Sequence, residues 1–277
     1  MARGRRRVLR LAAGHLGLPL ALGVLLLGLL APLVAPYGPL EMHPGQELRP
    51  PSRQHFLGSD EFGRDILSRV LFGARLSLAV GLLSVAIGTL VGGALGLSAG
   101  FWGGALETLA TRLADSLLSF PAIILGIAVA AVLGPGAVNA AIAVGIVNVP
   151  TFTRLTWSSV LVEKEKEYVQ AAECLGARDP RLVGRHILPN VLAPLLVQAT
   201  IASAQAILLE ASLSFLGLGA QPPQPSWGAM LNDARQFLRE APWYGVFPGL
   251  ALSTLLLGLN LTADAIRDAL DPRLARA

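Results

Sequence analysis

The residues of this chain that could do chemistry are few, and Glu210 makes the strongest demand on its surroundings. It follows the uncharged run 187–209, which is long enough to cross a bilayer, and precedes the apolar stretch 211–219. A carboxylate near membrane depth costs about 2.5–3.5 kcal/mol on insertion scales, so it should face water or a polar partner. Glu210 therefore either lines a translocation path or its outer gate, or caps a re-entrant turn that contains Ser212 and Ser214.

Two asparagines in apolar runs are further candidates for a polar path. Asn148 and Asn260 both lie within stretches that carry no charge. Buried amides either line a water-filled route or form hydrogen bonds between helices, and the second role is the commoner one. Both interpretations stay open for these two residues.

The remaining reactive side chains form no catalytic or metal-binding set. The four histidines are dispersed, Cys174 is the single cysteine, and no HExxH pattern occurs. A P-loop needs a lysine after a glycine, but Lys164 and Lys166 are the only lysines and neither follows one. We therefore expect no enzyme activity and no cofactor bound by this chain, and in particular no ATP bound through a P-loop.

A charged segment, 154–186, contains the best candidate for a protein-docking helix. From Glu167 onward, apolar residues recur at i, i+3, i+4 and i+7, which predicts a helix with one apolar face. The face consists of Tyr168, Ala171, Ala172 and Leu175. Small alanines bury poorly in lipid but allow another protein to approach closely.

Local signals predict how this segment ends and restarts. Gly176 is suited to end the first helix in the left-handed conformation. Asp179 is a candidate N-cap for a second short helix, with Pro180 at its first position, and Pro189 marks the start of the next apolar run.

Five glycines predict a close contact between two helices. They recur every four residues, so they lie along one helix face where a neighbouring backbone can approach. They are Gly88, Gly92, Gly96, Gly100 and Gly104.

The elements that position these residues belong to a membrane protein. Of 277 residues 53% are hydrophobic and 14% charged, with a mean hydropathy of +0.59. Soluble proteins carry about 25% charged residues, so the lipid bilayer is the better surrounding for this chain. The net charge of +4 reflects arginines placed by membrane topology, and we expect no nucleic-acid partner.

The uncharged runs predict an all-α protein with about six transmembrane helices. The run 116–153 is too long for one span and should fold back at the Gly-Pro-Gly turn at 134–136. The predicted spans are 16–35, 76–106, 116–133, 137–153, 187–209 and 241–263.

Charge asymmetry predicts the orientation. With both termini in the cytoplasm, the cytoplasmic segments carry 15 of the 22 lysines and arginines. The chain then divides into a basic segment with the first span (1–36), an extracytoplasmic loop (37–75) and a five-helix core (76–277). The loop 154–186 of that core faces the cytoplasm.

The segment Glu167–Gly176, followed by His186-Ile187-Leu188-Pro189-Asn190, resembles the "EAA" signature of bacterial ABC importer permeases. It departs from the pattern at Gln170, where the signature has Glu, and at Ile187, which is shifted by one position. In that family this segment is a coupling helix seated in a groove of the ATPase. The resemblance implies a coupling role for Glu167, Tyr168, Ala171, Ala172, Leu175, Gly176, Asp179 and Pro189.

Further matches extend the resemblance to the dipeptide/oligopeptide/nickel family of permease "C" subunits. They include the segments 55–60, 63–65, 73–75, 210–219, 225–228 and 267–273. The resemblance implies the type I (MetI-like) importer fold in the inner membrane, a second permease subunit, two ABC ATPases that bind ATP and Mg, and an extracytoplasmic substrate-binding protein. It favours short peptides as substrate, with nickel, glutathione or another small solute as alternatives.

Two other classes of protein are weaker hypotheses. An ion-coupled secondary transporter should carry several intramembrane ionisable groups, but Glu210, directly after the predicted span 187–209, is the single candidate. A membrane-embedded enzyme requires a clustered nucleophile, base or metal set.

Overall fold

The computed structural model describes the backbone of residues 2–270 and the side chains of residues 16–268. Within that range the protein is helical, and its one β element is an isolated bridge between Ser59 and Asp65. The helices are α1 (Ala2–Leu29), α2 (Ala31–Val34), α3 (Ile66–Trp102), α4 (Gly104–Leu118), α5 (Ala122–Leu133), α6 (Ala137–Lys164), α7 (Glu167–Cys174), α8 (Asp179–Phe215), α9 (Trp227–Ala234) and α10 (Pro242–Leu270). The predicted all-α architecture is confirmed.

Four of these helices, α3, α6, α8 and α10, are long and apolar enough to cross a membrane. The pair α4 and α5 passes the same test only as a unit bent by 99°, and the apolar part of α1, Leu16–Leu29, is shorter than a full span. Each of the six predicted spans therefore overlaps one of these helices or the bent pair, but the first and the third are not simple crossings.

The predicted third span, 116–133, is not one helix. Pro121 has no backbone N–H to donate and disfavours helical geometry at the residue before it, so the chain turns sharply between Leu118 and Ala122. The twelve residues of α5 extend about 18 Å, less than the bilayer core of about 30 Å. The preceding helix, α4, is amphipathic and packs on α6, where Glu107 accepts a hydrogen bond from Trp157 Nε1 at 3.0 Å.

Two predicted loops are shorter than the charge pattern indicated. The loop 37–75 includes the first ten residues of α3, which begins at Ile66. The loop 154–186 includes the last turns of α6 and the first turns of α8, so only 165–178 connect them. Charged residues at helix ends extend beyond a hydrophobic core without breaking the helix, and an uncharged run therefore underestimates helix length.

The centre of the bundle is the contact between α3 and α6. A Cβ added at Gly88, Gly92, Gly96 or Gly100 would stand within 2.8 Å of side-chain atoms of α6. At Gly92 and Gly96 it would also collide with α6 backbone oxygens. Gly104 does not extend this row: it has φ +64°, begins α4 after a turn, and has no heavy atom within 4 Å of an added Cβ. The chain turns at Gly103, which takes Gly104 off the face.

The outer helices also make close contacts through glycines. Gly258 of α10 meets α1 so closely that an added Cβ would be 2.6 Å from the backbone nitrogen of Ala21. The α9 helix is fixed to α3 by Trp227, whose buried Nε1 donates to Val70 O at 3.0 Å. Gly228 lies against Ala211 and Ser214 of α8. As a result α9 bridges α3 and α8 at one end of the bundle.

The segment between α2 and α3, residues 35–65, folds as a cap on that end. Asp65 is the N-cap of α3, and its Oδ2 accepts from the backbone N–H of Ser68 at 2.8 Å. Its Oδ1 is 2.9 Å from His55 Nδ1, and His55 Nε2 lies 2.7 Å from Gln46 Oε1. Asp65 therefore fixes the cap to the helix that it starts.

A buried ionic cluster completes the cap. Asp60 is fully buried and accepts from Arg64 Nε at 2.6 Å, while Arg69 of α3 approaches the same oxygen at 3.4 Å. Arg69 also donates to Pro39 O at 3.2 Å. Asp233 of α9 faces this cluster, and burial, followed by repulsion from the Glu61 carboxylate, raises its pKa.

The glycine contact generates a first prediction. Gly96→Ala should lower the free energy of unfolding by about 1–3 kcal/mol, because the added methyl group overpacks the α3–α6 contact. Gly93→Ala is the matched control: its Cβ would meet only Thr156 Oγ1 at 4.0 Å. Thermal unfolding of the purified protein compares the two, and equal melting temperatures would contradict the close contact.

The ionic cluster generates a second prediction. Asp60→Ala should destabilise the cap by about 3–5 kcal/mol, because it removes the buried carboxylate that Arg64 and Arg69 share. Hydrogen exchange of the segment 35–65 should accelerate strongly. Glu41→Ala removes an exposed acid from the same segment and should leave exchange nearly unchanged. Similar exchange in both variants would be inconsistent with a stabilising role for Asp60.

Candidate translocation path and coupling surface

A cavity of about 450 Å³ opens between the bent pair α4–α5 and the helices α6 and α8. Most of its wall is apolar, and none of the described residues that line it is charged. Four polar residues interrupt the apolar wall: Asn148, Thr151, Gln205 and Ser212.

Two of the polar residues donate hydrogen bonds to their own helices. Asn148 Nδ2 donates to Val144 O at 3.0 Å, and Ser212 Oγ donates to Leu208 O at 2.8 Å. Neither oxygen accepts a hydrogen bond from another described residue, so each is available as an acceptor. Neutral amides and hydroxyls offer a passing solute weak, exchangeable hydrogen bonds, since a net protein hydrogen bond contributes about 0.5–1.5 kcal/mol. The wall therefore suits passage better than tight retention.

The predicted path residues separate in the structure. Asn148 and Ser212 line the cavity, but Asn260 does not: it is exposed on α10 and donates to Leu256 O at 2.9 Å. Sequence reasoning missed Thr151 and Gln205. Both were recognisable from spacing, because Thr151 is three residues after Asn148 and Gln205 is seven residues before Ser212, which places each pair on one helix face.

Glu210 is fully buried and does not line the cavity. Its Oε1 accepts from Ser214 Oγ at 2.7 Å, and Ser214 Oγ in turn accepts from the backbone N–H of Ala220 at 3.1 Å. Of the two interpretations, the arrangement is nearer to a structural cap, although the capping bond passes through Ser214. Ser212 takes no part in it.

Across the contact with α3, the second oxygen of Glu210 faces a hydroxyl. Glu210 Oε2 and Ser77 Oγ are both buried, neither forms a geometrically good hydrogen bond, and Ser77 is the neighbour on α3. Glu210 thus holds the turn after α8 on one side and contacts α3 on the other. Its position explains why a costly carboxylate lies at this depth without facing a cavity.

The connection 165–178 carries α7 at the opposite end of the bundle. Val169 is 2% exposed and packs into the main core, and Ala172 is half-buried against the same cluster. Ala171 is exposed and Leu175 is 89% exposed. The predicted single face is therefore wrong in detail: Ala172 and the hydroxyl end of Tyr168 turn toward the bundle, while Ala171 and Leu175 turn outward.

Of the two helix boundaries predicted in this connection, the structure shows the helix end at Gly176 but not the N-cap at Asp179. Gly176 has φ +83°, and the N–H of Ala177 donates to Ala172 O at 3.0 Å, which is the predicted left-handed end of a helix. Asp179 is not an N-cap, because its Oδ2 accepts instead from the indole of Trp102 at 3.2 Å. Pro189 lies inside α8, just after a π turn at Leu182–Ile187, where the wider turn accommodates the missing N–H.

A shallow groove of about 700 Å³ runs beside α7. Its walls combine apolar and basic side chains and include the outward-facing end of α7. They are formed by Ala172, Leu175, Gly176, Ala177, Arg178, Pro180, Arg181 and His186. The groove thus presents apolar and arginine side chains side by side, a combination that is enriched in protein–protein interfaces.

The described residues contain no group of three or more His, Cys, Asp or Glu that could hold a metal ion. The functional geometry consequently consists of a neutral cavity within the bundle and an exposed helix with a groove at one end.

Comparison with known proteins defines the class. Residues 92–276 match the family of binding-protein-dependent transport system inner membrane components. The match covers most of the chain, and the chain belongs to this family of membrane permeases. The expected type I importer fold and the resemblance to the dipeptide/oligopeptide permeases are thereby confirmed.

Individual relatives refine the class. The chain is 46% identical over 258 residues to the dipeptide transport system permease protein DppC of Alkalihalophilus pseudofirmus, across 93% of this chain and 85% of that protein. It is 46% identical to the di/tripeptide transport system permease protein of Pseudomonas aeruginosa, across 94% and 88%. The glutathione transport system permease protein of Pectobacterium atrosepticum is also 46% identical, across 81% and 74%.

The cavity generates a third prediction. Ser212→Phe should lower transport at least severalfold without reducing the yield of assembled complex, because the ring fills space between α5 and α8. Thr200→Phe is the control: Thr200 lies on α8, bonds its own helix at Leu196 O, and is outside the cavity. Uptake assays in vesicles compare the variants, and normal uptake by Ser212→Phe would mean that solute passes elsewhere.

Proposed function

We propose that this chain forms half of the transmembrane pore of an ATP-driven importer of short peptides. The observation that carries the proposal is the combination of a neutral cavity along α6 and α8 with an exposed helix, α7, that connects those same two spans. Movement of α7 can therefore change the width of the cavity. A second permease subunit would supply the facing half, because the cavity is open on one side of this chain.

The energy source in this proposal lies outside the chain. Two ABC ATPases would bind ATP and Mg²⁺, and this chain would bind neither and catalyse no reaction. Support comes from the sequence, since neither lysine follows a glycine. The groove beside α7 would receive the ATPase, with Ala171 and Leu175 at the contact. A substrate-binding protein would deliver solute at the opposite end, near the cap.

The proposed orientation places both termini and α7 in the cytoplasm and the cap outside the inner membrane. The distribution of lysine and arginine supports it, with 15 of the 22 on the cytoplasmic side. In the same orientation α4, with Glu107 and Asp115, lies at the cytoplasmic surface.

Peptides are the favoured substrate class. Relatives named for dipeptide, di/tripeptide and glutathione transport share nearly half of the aligned residues. The cavity offers amide and hydroxyl groups, which complement peptide amides. A transition-metal cation such as nickel prefers imidazole or thiolate ligands, which the described lining residues do not supply.

A fourth prediction tests the coupling surface. Ala171→Arg should leave membrane insertion intact and weaken retention of the ATPase pair by about thirtyfold, the equivalent of a 2 kcal/mol hot spot. Ala105→Arg places the same side chain at an exposed position of α4 and should retain the ATPases.

The measurement is a pull-down of ATPase subunits with the tagged permease, run beside uptake of a labelled dipeptide into vesicles. ATP-dependent dipeptide uptake by the wild-type complex is the expected result. Full ATPase retention by Ala171→Arg would place the contact on another surface, and wild-type uptake of nickel instead of dipeptide would overturn the substrate class.

A further inference from the structure

Tyr168 forms the densest polar junction at the coupling end of the bundle. Its hydroxyl donates to Glu163 Oε1, near the end of α6, and accepts from Asn190 Nδ2 of α8 at 3.0 Å. The same oxygen lies 3.2 Å from His186 O, also on α8. Of the α7 side chains that the structure describes, Tyr168 alone has hydrogen bonds to both α6 and α8.

The partner on α6 is itself held in place. Glu163 is 6% exposed, and its second oxygen accepts from Lys166 Nζ at 2.6 Å. The neighbouring Lys164 donates to Phe101 O at 2.8 Å, which ties the end of α6 to the end of α3. Glu163 therefore offers Tyr168 a fixed acceptor rather than a mobile surface carboxylate.

The hydroxyl remains a donor at physiological pH. Loss of hydration, followed by the hydrogen bond to Glu163, raises the pKa of Tyr168 to about 12. A raised tyrosine pKa favours the neutral form, so between pH 5 and 9 the proton stays on the hydroxyl and points toward the carboxylate.

Packing does not account for this residue. Tyr168 is 43% exposed, whereas Val169, beside it, is buried in the core and anchors α7 by its apolar contacts. Beside the hydroxyl, α7 is held to the spans by the apolar packing of Val169 and Ala172 and by the short connections at 165–166 and 175–178. Apolar contacts are non-directional, so the hydrogen bonds of the hydroxyl are what fixes the rotation of α7 relative to α6 and α8.

We propose that Tyr168 is a positioning residue that locks α7 to α6 and α8, so that a displacement of α7 moves both walls of the cavity together. The inference rests on the proposed function, in which the ATPases displace α7. Through these hydrogen bonds, a displacement of the eight-residue helix α7 would move α6 and α8 together.

Tyr168→Phe tests the lock because it deletes one oxygen and preserves the ring. In the complete complex of two permease subunits, two ATPases and binding protein, reconstituted in liposomes, this variant should retain its ATPases and continue to hydrolyse ATP. The number of dipeptides imported per ATP should fall about tenfold, as expected for one lost charge-assisted hydrogen bond. Ser158→Ala is the control: it deletes an α6 hydroxyl that bonds only its own helix, at Leu155 O, and should leave the ratio unchanged.

Two further variants separate positioning from stability. Glu163→Gln keeps an acceptor for Tyr168 and should retain most of the coupling ratio, whereas Glu163→Leu should lose it as Tyr168→Phe does. Hydrogen exchange of residues 167–176 in the intact complex should accelerate about tenfold in Tyr168→Phe and in Glu163→Leu.

The outcomes are distinguishable. A wild-type complex that lacks ATP-driven uptake would contradict the proposed function and the lock together. Normal wild-type uptake with a normal ratio and normal exchange in Tyr168→Phe would overturn the lock alone. Dissociation of the ATPases from Tyr168→Phe would also overturn it, because the residue would then serve docking.

Discussion

The close approach of α3 to α6 is the contact on which the remaining structure depends. Four glycines of α3 let the two helices meet with no side chain from α3 between them, and atoms of Asn148, Phe152, Thr156 and Val160 occupy the space. Because the two helices touch directly, this contact is maintained by van der Waals packing and has little tolerance for added volume. Asn148 touches Gly88 and also lines the cavity, so the contact directly fixes one wall of the path. The helix that carries Asn148, α6, ends next to the hydrogen bond between Glu163 and Tyr168.

Much of this arrangement could be predicted from spacing. The row of glycines, the apolar segments and the left-handed turn at Gly176 are each marked by residue type and spacing within a short stretch of the chain, and such a signal can be recognised before the partner is known. The signals failed where a distant partner decides the outcome. Asp179 has every local property of an N-cap but bonds Trp102, which is 77 residues away. Gly104 keeps the four-residue spacing, yet the turn at Gly103 removes it from the helix that the spacing assumed.

The spacing of residues in the sequence also could not predict which of the candidate side chains are buried. Glu210 and Ser212 stand two residues apart, and both were candidates for the path. Glu210 is enclosed between α3 and the turn after α8, whereas Ser212 faces the cavity. Two residues apart on a helix, their side chains point in different directions. Likewise, α7 has alanines at 171 and 172, but the position of Val169 in the core decides which of them faces outward. The motifs shared with the permease family include buried structural residues as well as residues that face the cavity or the groove. Those at 55–65 and 225–228 hold the cap and α9 in place and contact no cavity.

The unbroken course of α8 has a mechanical consequence. From Asp179 to Phe215 the chain is one helical rod of 37 residues, with the groove beside α7 at one end and Ser212 near the other. The distance between His186 and Ser212 along such a rod is about 39 Å, at 1.5 Å per residue. If the rod pivots near one end, a tilt of about 5° displaces the other end by about 3 Å over that length, roughly the diameter of a water molecule. Leverage on this scale means that a small angular change at the groove is enough to decide whether a hydrated solute fits at the far end.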